Sequence, residues 1–320
     1  MEFTSGHKKL SKPIVPAKIT GSMDMDEFAK SLENCAFGAR RISQAVEIYY
    51  EMVSDPDVTK FFGLAGAMVP AGMRTIIADL IKDGYIDVLV TTGANMVHDT
   101  LEGLGLNHYK GTDQVDDKEL HEEHIDRIYD VYLPDGHFEE LEEFLLDVME
   151  DLPKDKPVSI AEFMKVLGAG INNNDTILGA AYENDVPVYC PAFPDSVIGL
   201  HAYLYKEMNP LVVDAVADMH DFMDICWDAK KAGAVFVGGG VPKNYIFQSM
   251  LVTPKEFDYA IQLTMDTPQT GGLSGATLDE AISWGKVDSS AKFVTVYSDA
   301  TITLPLMVGA VRSRVAKNRI

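Results

Sequence analysis

The stretch "VFVGGGVPKN", residues 235–244, decides how the rest of the chain is read. Val235, Phe236 and Val237 run straight into Gly238, Gly239 and Gly240, and a helical pattern follows. A short apolar run ending in glycine reads as a buried strand. Glycines at the start of the next helix let a phosphate reach free backbone N–H groups. Two other segments repeat the arrangement: "FFGLAGAMVPAGM" (61–73), with Gly66 and Ala67, and "IDVLVTTGANMVHD" (86–99), with Thr92, Gly93 and Ala94. None is the G-x-G-x-x-G fingerprint. Their convergence at one sheet edge predicts a dinucleotide-sized pocket, because ligands of open α/β sheets bind beyond the carboxyl ends of the strands.

Working outward, apolar runs occur at 61–65, 86–91, 186–191, 234–238, 259–263 and 293–298, most followed by turn residues and a helical pattern. Strands alternating with helices predict an α/β fold with a mainly parallel sheet and helices on both faces. The runs are continuously apolar, as strands buried on both sides require. Residues 1–22, with Pro13 and Pro16, read as an extended N-terminal arm, and 25–53 as a helix capped by Asp24 or Asp26. An acidic insertion at about 107–157 is expected to be helical and mostly on the surface. No Gly/Ser/Pro-rich linker divides the strand series, so residues 23–320 are expected to form a single domain.

The chain has 320 residues and a net charge of −22, which repels nucleic-acid phosphates and attracts cationic partners. No apolar run is long enough to span a bilayer, and the N-terminus lacks the apolar core of a secretory signal. Cys35, Cys190 and Cys226 have no paired spacing, which fits a reducing cytoplasm and no structural metal. "HEEH" (121–124) spaces its imidazoles at i, i+3 rather than i, i+4, so it reads as a solvated acidic helix face.

The segment "TPQTGGLSGATLDEAISWGKV" (267–287) carries the candidate chemistry. Its glycines make a close-packed loop, Ser274 and Thr277 offer hydroxyls, and Lys286 stands two residues after Trp284. A lysine must lose its proton to act as a nucleophile, and an aromatic wall or a neighbouring cation favours that loss. An indole also attracts organic cations. The plain alternative is a lysine at a helix end, favoured by the dipole. Asp195 in "PAFPDSVIG" and Asp299 in "VYSDAT" follow strands, where each either accepts hydrogen bonds from a nucleotide or caps the next helix.

Taken in order, "LAGAMVPAGMR", "DVLVTTGAN", "INNNDTILGAAYENDVPVYCPAFPDSVIG", "VFVGGGVPKN", "GGLSGATLDEAISWGKV" and "VYSDATITLPL" resemble the deoxyhypusine synthase family, in its archaeal-type branch. The resemblance implies a Rossmann-like α/β domain, a homotetramer with active sites between subunits, and NAD as cofactor. It implies that Lys286 carries the aminobutyl group of spermidine as a Schiff base and passes it to a lysine of the translation factor 5A precursor. Trp284 and Glu280, with Asn244 and Gln248, would then contact the polyamine. Gly66, Ala67, Thr92, Gly93, Ala94, His98, Asp195, Gly238, Gly239, Gly240, Ser274, Asp299 and Ala300 would hold NAD.

The chain departs from the eukaryotic pattern at Leu200 and Leu273, which replace acids, and at Asn244 and Gln248, which replace a histidine and an asparagine. Loss of two carboxylates weakens the grip on a trication. Homospermidine synthesis, or another transfer using a diamine or agmatine, is therefore the rival enzymatic reading. An NAD- or polyamine-binding scaffold is the non-enzymatic one.

Overall fold

The computed structural model describes residues 12–318. The central sheet has six strands: β1 (Val58–Leu64), β2 (Val88–Thr91), β3 (Val188–Tyr189), β4 (Lys231–Val237), β5 (Phe257–Thr264) and β6 (Val287–Tyr297). Neighbours are parallel throughout, in the order β6-β5-β4-β1-β2-β3. Each of the six apolar runs falls on one of these strands. The order is that of a doubly wound dinucleotide-binding sheet, and its direction reverses between β1 and β4.

Helices cover both faces, which is why the strands are apolar on both sides. Along β1, Val58, Phe62 and Leu64 enter one core and Phe61 the other. Along β4, Val235 and Val237 alternate in the same way with Ala234 and Phe236. In chain order the helices are α1 (Met25–Ser31), α2 (Phe37–Ser54), α3 (Arg74–Lys82), α4 (Gly93–Gly103), α5 (Asp117–Glu122), α6 (His137–Glu150), α7 (Ile160–Ile171), α8 (Ile177–Glu183), α9 (Val197–Lys206), α10 (Asp218–Asp228), α11 (Gly240–Ser249), α12 (Leu278–Ser283) and α13 (Ala300–Asn318). The first core takes α2, α3, α4 and α13; the second takes Phe222 of α10, Tyr245 and Phe247 of α11, and Leu278 of α12.

Two local expectations need revision. The helix expected over 25–53 is broken over residues 32–36, between α1 and α2, and Phe37, the first residue of α2, adopts φ +56°. A left-handed residue cannot continue a right-handed helix. Asp24 caps α1 in a capping box with Glu27, whereas Asp26 turns inward. The acidic insertion is not purely helical. Between α4 and α6, strands at 109–110, 125–128 and 131–134 form a small antiparallel sheet, closed by a turn with Tyr129 at φ +56°. Its acids mask the β-formers Ile125, Ile128, Val131 and Tyr132. In α6, Leu141, Leu145, Val148 and Met149 are buried, so the insertion docks on the core. Of the arm, residues 12–22 are described and carry no helix or strand; residues 1–11 lie outside the described residues.

The first and last helices are joined by a buried ion pair. Arg314 Nε donates to Asp26 Oδ1 at 2.7 Å, and its Nη1 reaches Glu47. Asp26 is 1% exposed, so removing its partner leaves a buried carboxylate short of compensation. Arg314→Met is expected to cost about 3 kcal/mol, the low end for a broken buried pair because Lys30 still reaches Asp26. A urea titration should show a lowered midpoint with an unchanged slope.

Candidate functional site

At the carboxyl edge of the sheet, the glycine turns meet. Gly238 (φ +76°) and Gly240 (φ +59°) end β4 in conformations closed to most side chains. Gly66 (φ +79°) stands in the turn after β1, on the other side of the reversal point. The two turns touch: Ala65 N donates to Val237 O at 3.0 Å, and a Cβ added at Gly238 would lie 3.3 Å from Ala65 Cβ. Gly239 lies against the loop after β5, where an added Cβ would sit 2.5 Å from Ser274 Cα. The start of α4 packs on the start of α9, where a Cβ at Gly93 would meet Ser196 Cβ at 2.4 Å. The folding thus joins turns that the sequence keeps up to about two hundred residues apart.

These features fit a dinucleotide. The first turn of α11 has no side-chain cap, so its N–H groups are free for an anion. Asn95, 1% exposed in the first turn of α4, keeps a buried Oδ1 without a partner among the described residues. The two candidate acids differ. Asp299 Oδ1 accepts from Thr301 N at 2.8 Å, which is the capping role. Asp195 caps nothing; Ser196 caps α9, and Asp195 is exposed. Ala67 and Ala94 sit in the turn after β1 and the first turn of α4, and Ala300 opens α13. Thr92 caps α4 through Asn95 N.

His98, on α4, belongs to a chain that sequence reasoning missed. Its Nδ1 is 2.9 Å from His108 Nε2; His108 Nδ1 is 2.7 Å from Glu102 Oε1; Glu102 Oε2 is 3.1 Å from Arg74 Nε. A carboxylate only accepts, so His108 Nδ1 must donate. Burial pushes His98 down to about 4, with His108 beside it as the lesser cause. His98 is therefore neutral at physiological pH.

The second part of the site is a cavity of about 340 Å³. Lys243, Asn244 and Phe247 of α11 line one wall, Leu273, Ala276 and Thr277 the loop side, and Glu280, Trp284 and Lys286 the other wall. The "SWGK" segment ends α12 in a Schellman motif: Lys286 N donates to Ala281 O and Gly285 N to Ile282 O, both at 3.0 Å, with Gly285 at φ +64°. This turn sets the Lys286 ammonium 5.4 Å from the Trp284 ring centroid. Trp284 is 62% exposed, so within one chain the indole is a one-sided wall and not a tunnel. Gln248 does not line the cavity; it accepts from Asn244 Nδ2 at 3.1 Å.

Lys243 joins the two parts, and sequence reasoning missed it too. Only 4% exposed, its Nζ donates to Gln262 Oε1 at 2.9 Å and to the carbonyls of Leu273 and Ala276. Gln262 Nε2 donates to Gly238 O at 2.9 Å and Ser274 O at 2.8 Å. Burial pushes Lys243 down to about 8; Lys286 lowers it further and Glu280 opposes the fall. The available signal was Gln262, a lone amide within the apolar run 259–263, since a buried amide demands partners. Lys286 itself immediately precedes β6, at the amino end of that strand, whereas the glycine turns lie at the carboxyl ends. The loop carrying Leu273 and Ser274 is the physical bridge. Among the described residues no cluster of His, Cys, Asp or Glu could hold a metal, and His124 of "HEEH" pairs with Asp135.

A family model described as deoxyhypusine synthase matches residues 27–311. "Probable deoxyhypusine synthase 1" of Methanosarcina mazei is 64% identical over 317 residues, covering 99% of this chain and all of that protein. "Probable deoxyhypusine synthase 1" of Archaeoglobus fulgidus is 45% identical, covering 92% of this chain and 96% of that one. A protein from Entamoeba histolytica, solved under the deoxyhypusine synthase name, aligns with a TM-score of 0.63 at 20% identity, covering 91% of this chain and 94% of that one. That likeness speaks for the fold alone.

Two outcomes follow. Lys243→Met keeps the stem but leaves Gln262 Oε1 and the loop carbonyls without a donor. It should cost about 1–3 kcal/mol and speed proteolytic cutting in the 266–277 loop. For His98, the unfolded ring takes its proton near pH 6.5 but the folded one only at about 4. Between those values the unfolded state binds more protons, so this group's contribution to stability falls as pH drops. Replacing His98 with Gln should flatten that fall, by about 3 kcal/mol. Ring ¹⁵N spectra should show wild-type His98 neutral at pH 5.

Proposed function

The chain belongs to the deoxyhypusine synthase family, a family of transferases, and from that premise we propose that it moves the aminobutyl group of spermidine onto a lysine of the translation factor 5A precursor. The carrying observation is the cavity in which Lys286, Trp284 and Glu280 stand together. NAD, when bound, supplies the acceptance and later return of a hydride. Gly238, Gly239, Gly240, Gly66, Ala67, Thr92, Gly93, Ala94, Ser274, Asp195, Asp299 and Ala300, with His98, are the residues proposed to hold it.

The amine of Lys286 attacks the imine carbon derived from spermidine, diaminopropane leaves, and the aminobutyl group remains on Lys286 as a Schiff base. Glu280 anchors an ammonium of the substrate, and Trp284 offers its π face to the cationic chain. Asn244 provides an amide contact beside it, held in place by Gln248. A half-open cavity supports an assembly in which a second copy closes it, in a homotetramer of single NAD-binding domains working in the cytoplasm.

One observation favours a narrower substrate. The lining holds two lysines against the single carboxylate Glu280, and Leu273 occupies a lining position. Fewer carboxylates suit a smaller diamine or a putrescine-like acceptor better than a fully held trication.

Incubation with NAD, labelled spermidine and cyanoborohydride should trap label on Lys286. Lys286→Arg should lower transfer by at least about a thousandfold while NAD binding persists; continued transfer would remove Lys286 from this role. Adding the translation factor precursor or putrescine identifies the acceptor. Tight NAD binding with no label at all would favour a scaffold.

A further inference from the structure

A second cavity, of about 570 Å³, lies at the far edge of the sheet, alongside β3. Its floor and sides are apolar: Met164 of α7, Leu178 and Ala181 of α8, Val186 and Val188 around the edge strand, and Ile225 of α10. Its rim is acidic, with Glu162, Asp185, Asp221 and Asp224 against one cation, Lys165. Lys165 is already spent on Asp185 at 2.7 Å. Glu162 meets Lys156 at 3.3 Å, and Asp224 meets only His220, at 3.7 Å. Asp221 has no ion pair or hydrogen-bond partner among the described residues, yet it stands one helical turn from Asp224 on α10.

An acidic rim alone specifies nothing. Tyr189 adds the independent observation. It is 2% exposed, lines this cavity, and its hydroxyl makes no hydrogen bond among the described residues. Its ring is fixed edge-on against Phe222 at 4.8 Å. That hydroxyl is not sealed from solvent, and the cavity is the open space it borders.

The volume lies in the range of small-ligand sites, whereas docking of a folded partner needs about 800 Å² on each side. Several carboxylates call for several positive charges on one guest, and an apolar floor calls for methylenes between them. We propose that this groove is a second binding site, for a linear aliphatic polyamine, separate from the Lys286 cavity. Its methylenes lie on Met164, Val186 and Ile225, its ammonium groups meet Asp221, Asp224 and Glu162, and Tyr189 Oη accepts from one of them.

Equilibrium dialysis of the full chain with labelled spermidine, in about 0.15 M salt to screen diffuse attraction, tests this. Two sites per chain are expected. Asp221→Asn with Asp224→Asn should weaken one of them by at least about tenfold and leave the labelling of Lys286 unchanged. Tyr189→Phe, which keeps the ring packing, should weaken the same site about threefold or more. A single wild-type site overturns the proposal, as does a double variant that binds normally. Equal weakening by Glu139→Gln with Glu140→Gln, on exposed positions of α6, would reduce the effect to net charge and overturn it too. Uptake of an oligolysine peptide in place of spermidine would do the same. Failure to label Lys286 would count against the transfer reading and leave the number of sites intact.

Discussion

The contact between Lys243 and Gln262 is the constraint on which the site depends. Both side chains are nearly excluded from solvent, and a buried ammonium is tolerated only when its donors are used. Here they are used on one amide and two loop carbonyls. The amide's other end holds the carbonyls of Gly238 and Ser274. A strand, a helix, a glycine turn and a loop thereby meet at one pair. The same loop then closes over Gly239 and lines the cavity of Lys286. Loss of that pair would remove the hydrogen bonds that hold the carbonyls of Leu273, Ser274 and Ala276.

Charge is distributed with equal economy. The chain carries −22 overall, yet the lining of the Lys286 cavity holds two lysines and one carboxylate. Surface acidity draws cations toward the protein, while Glu280 is the one carboxylate in that lining. The groove beside β3 has the reverse balance, acids with hardly any free cation. The two lie on different elements, so one can be altered without disturbing the other.

Backbone geometry does much of what the family motif is known for. Gly285 lets α12 stop and reverse, which aims Lys286 back across Trp284. Gly238 and Gly240 let β4 turn into α11 with bare N–H groups. In each place the left-handed conformation, and not the small size alone, requires glycine.

Much of this was legible in the residues. Six continuous apolar runs gave six parallel strands because burial on both faces leaves no polar alternation. The glycine turns marked the carboxyl edge, and "SWGK" marked its lysine, since backbone chirality and helix termination are local. Other features were decided only by the tertiary structure: the Lys243–Gln262 pair, the path from His98 through His108 and Glu102 to Arg74, and the short antiparallel sheet inside the acidic insertion. The break before Phe37 and the bond from Arg314 to Asp26 belong with them. Each joins positions far apart along the chain or opposes local propensity, and its energy comes from excluding water around groups that no sequence window contains together.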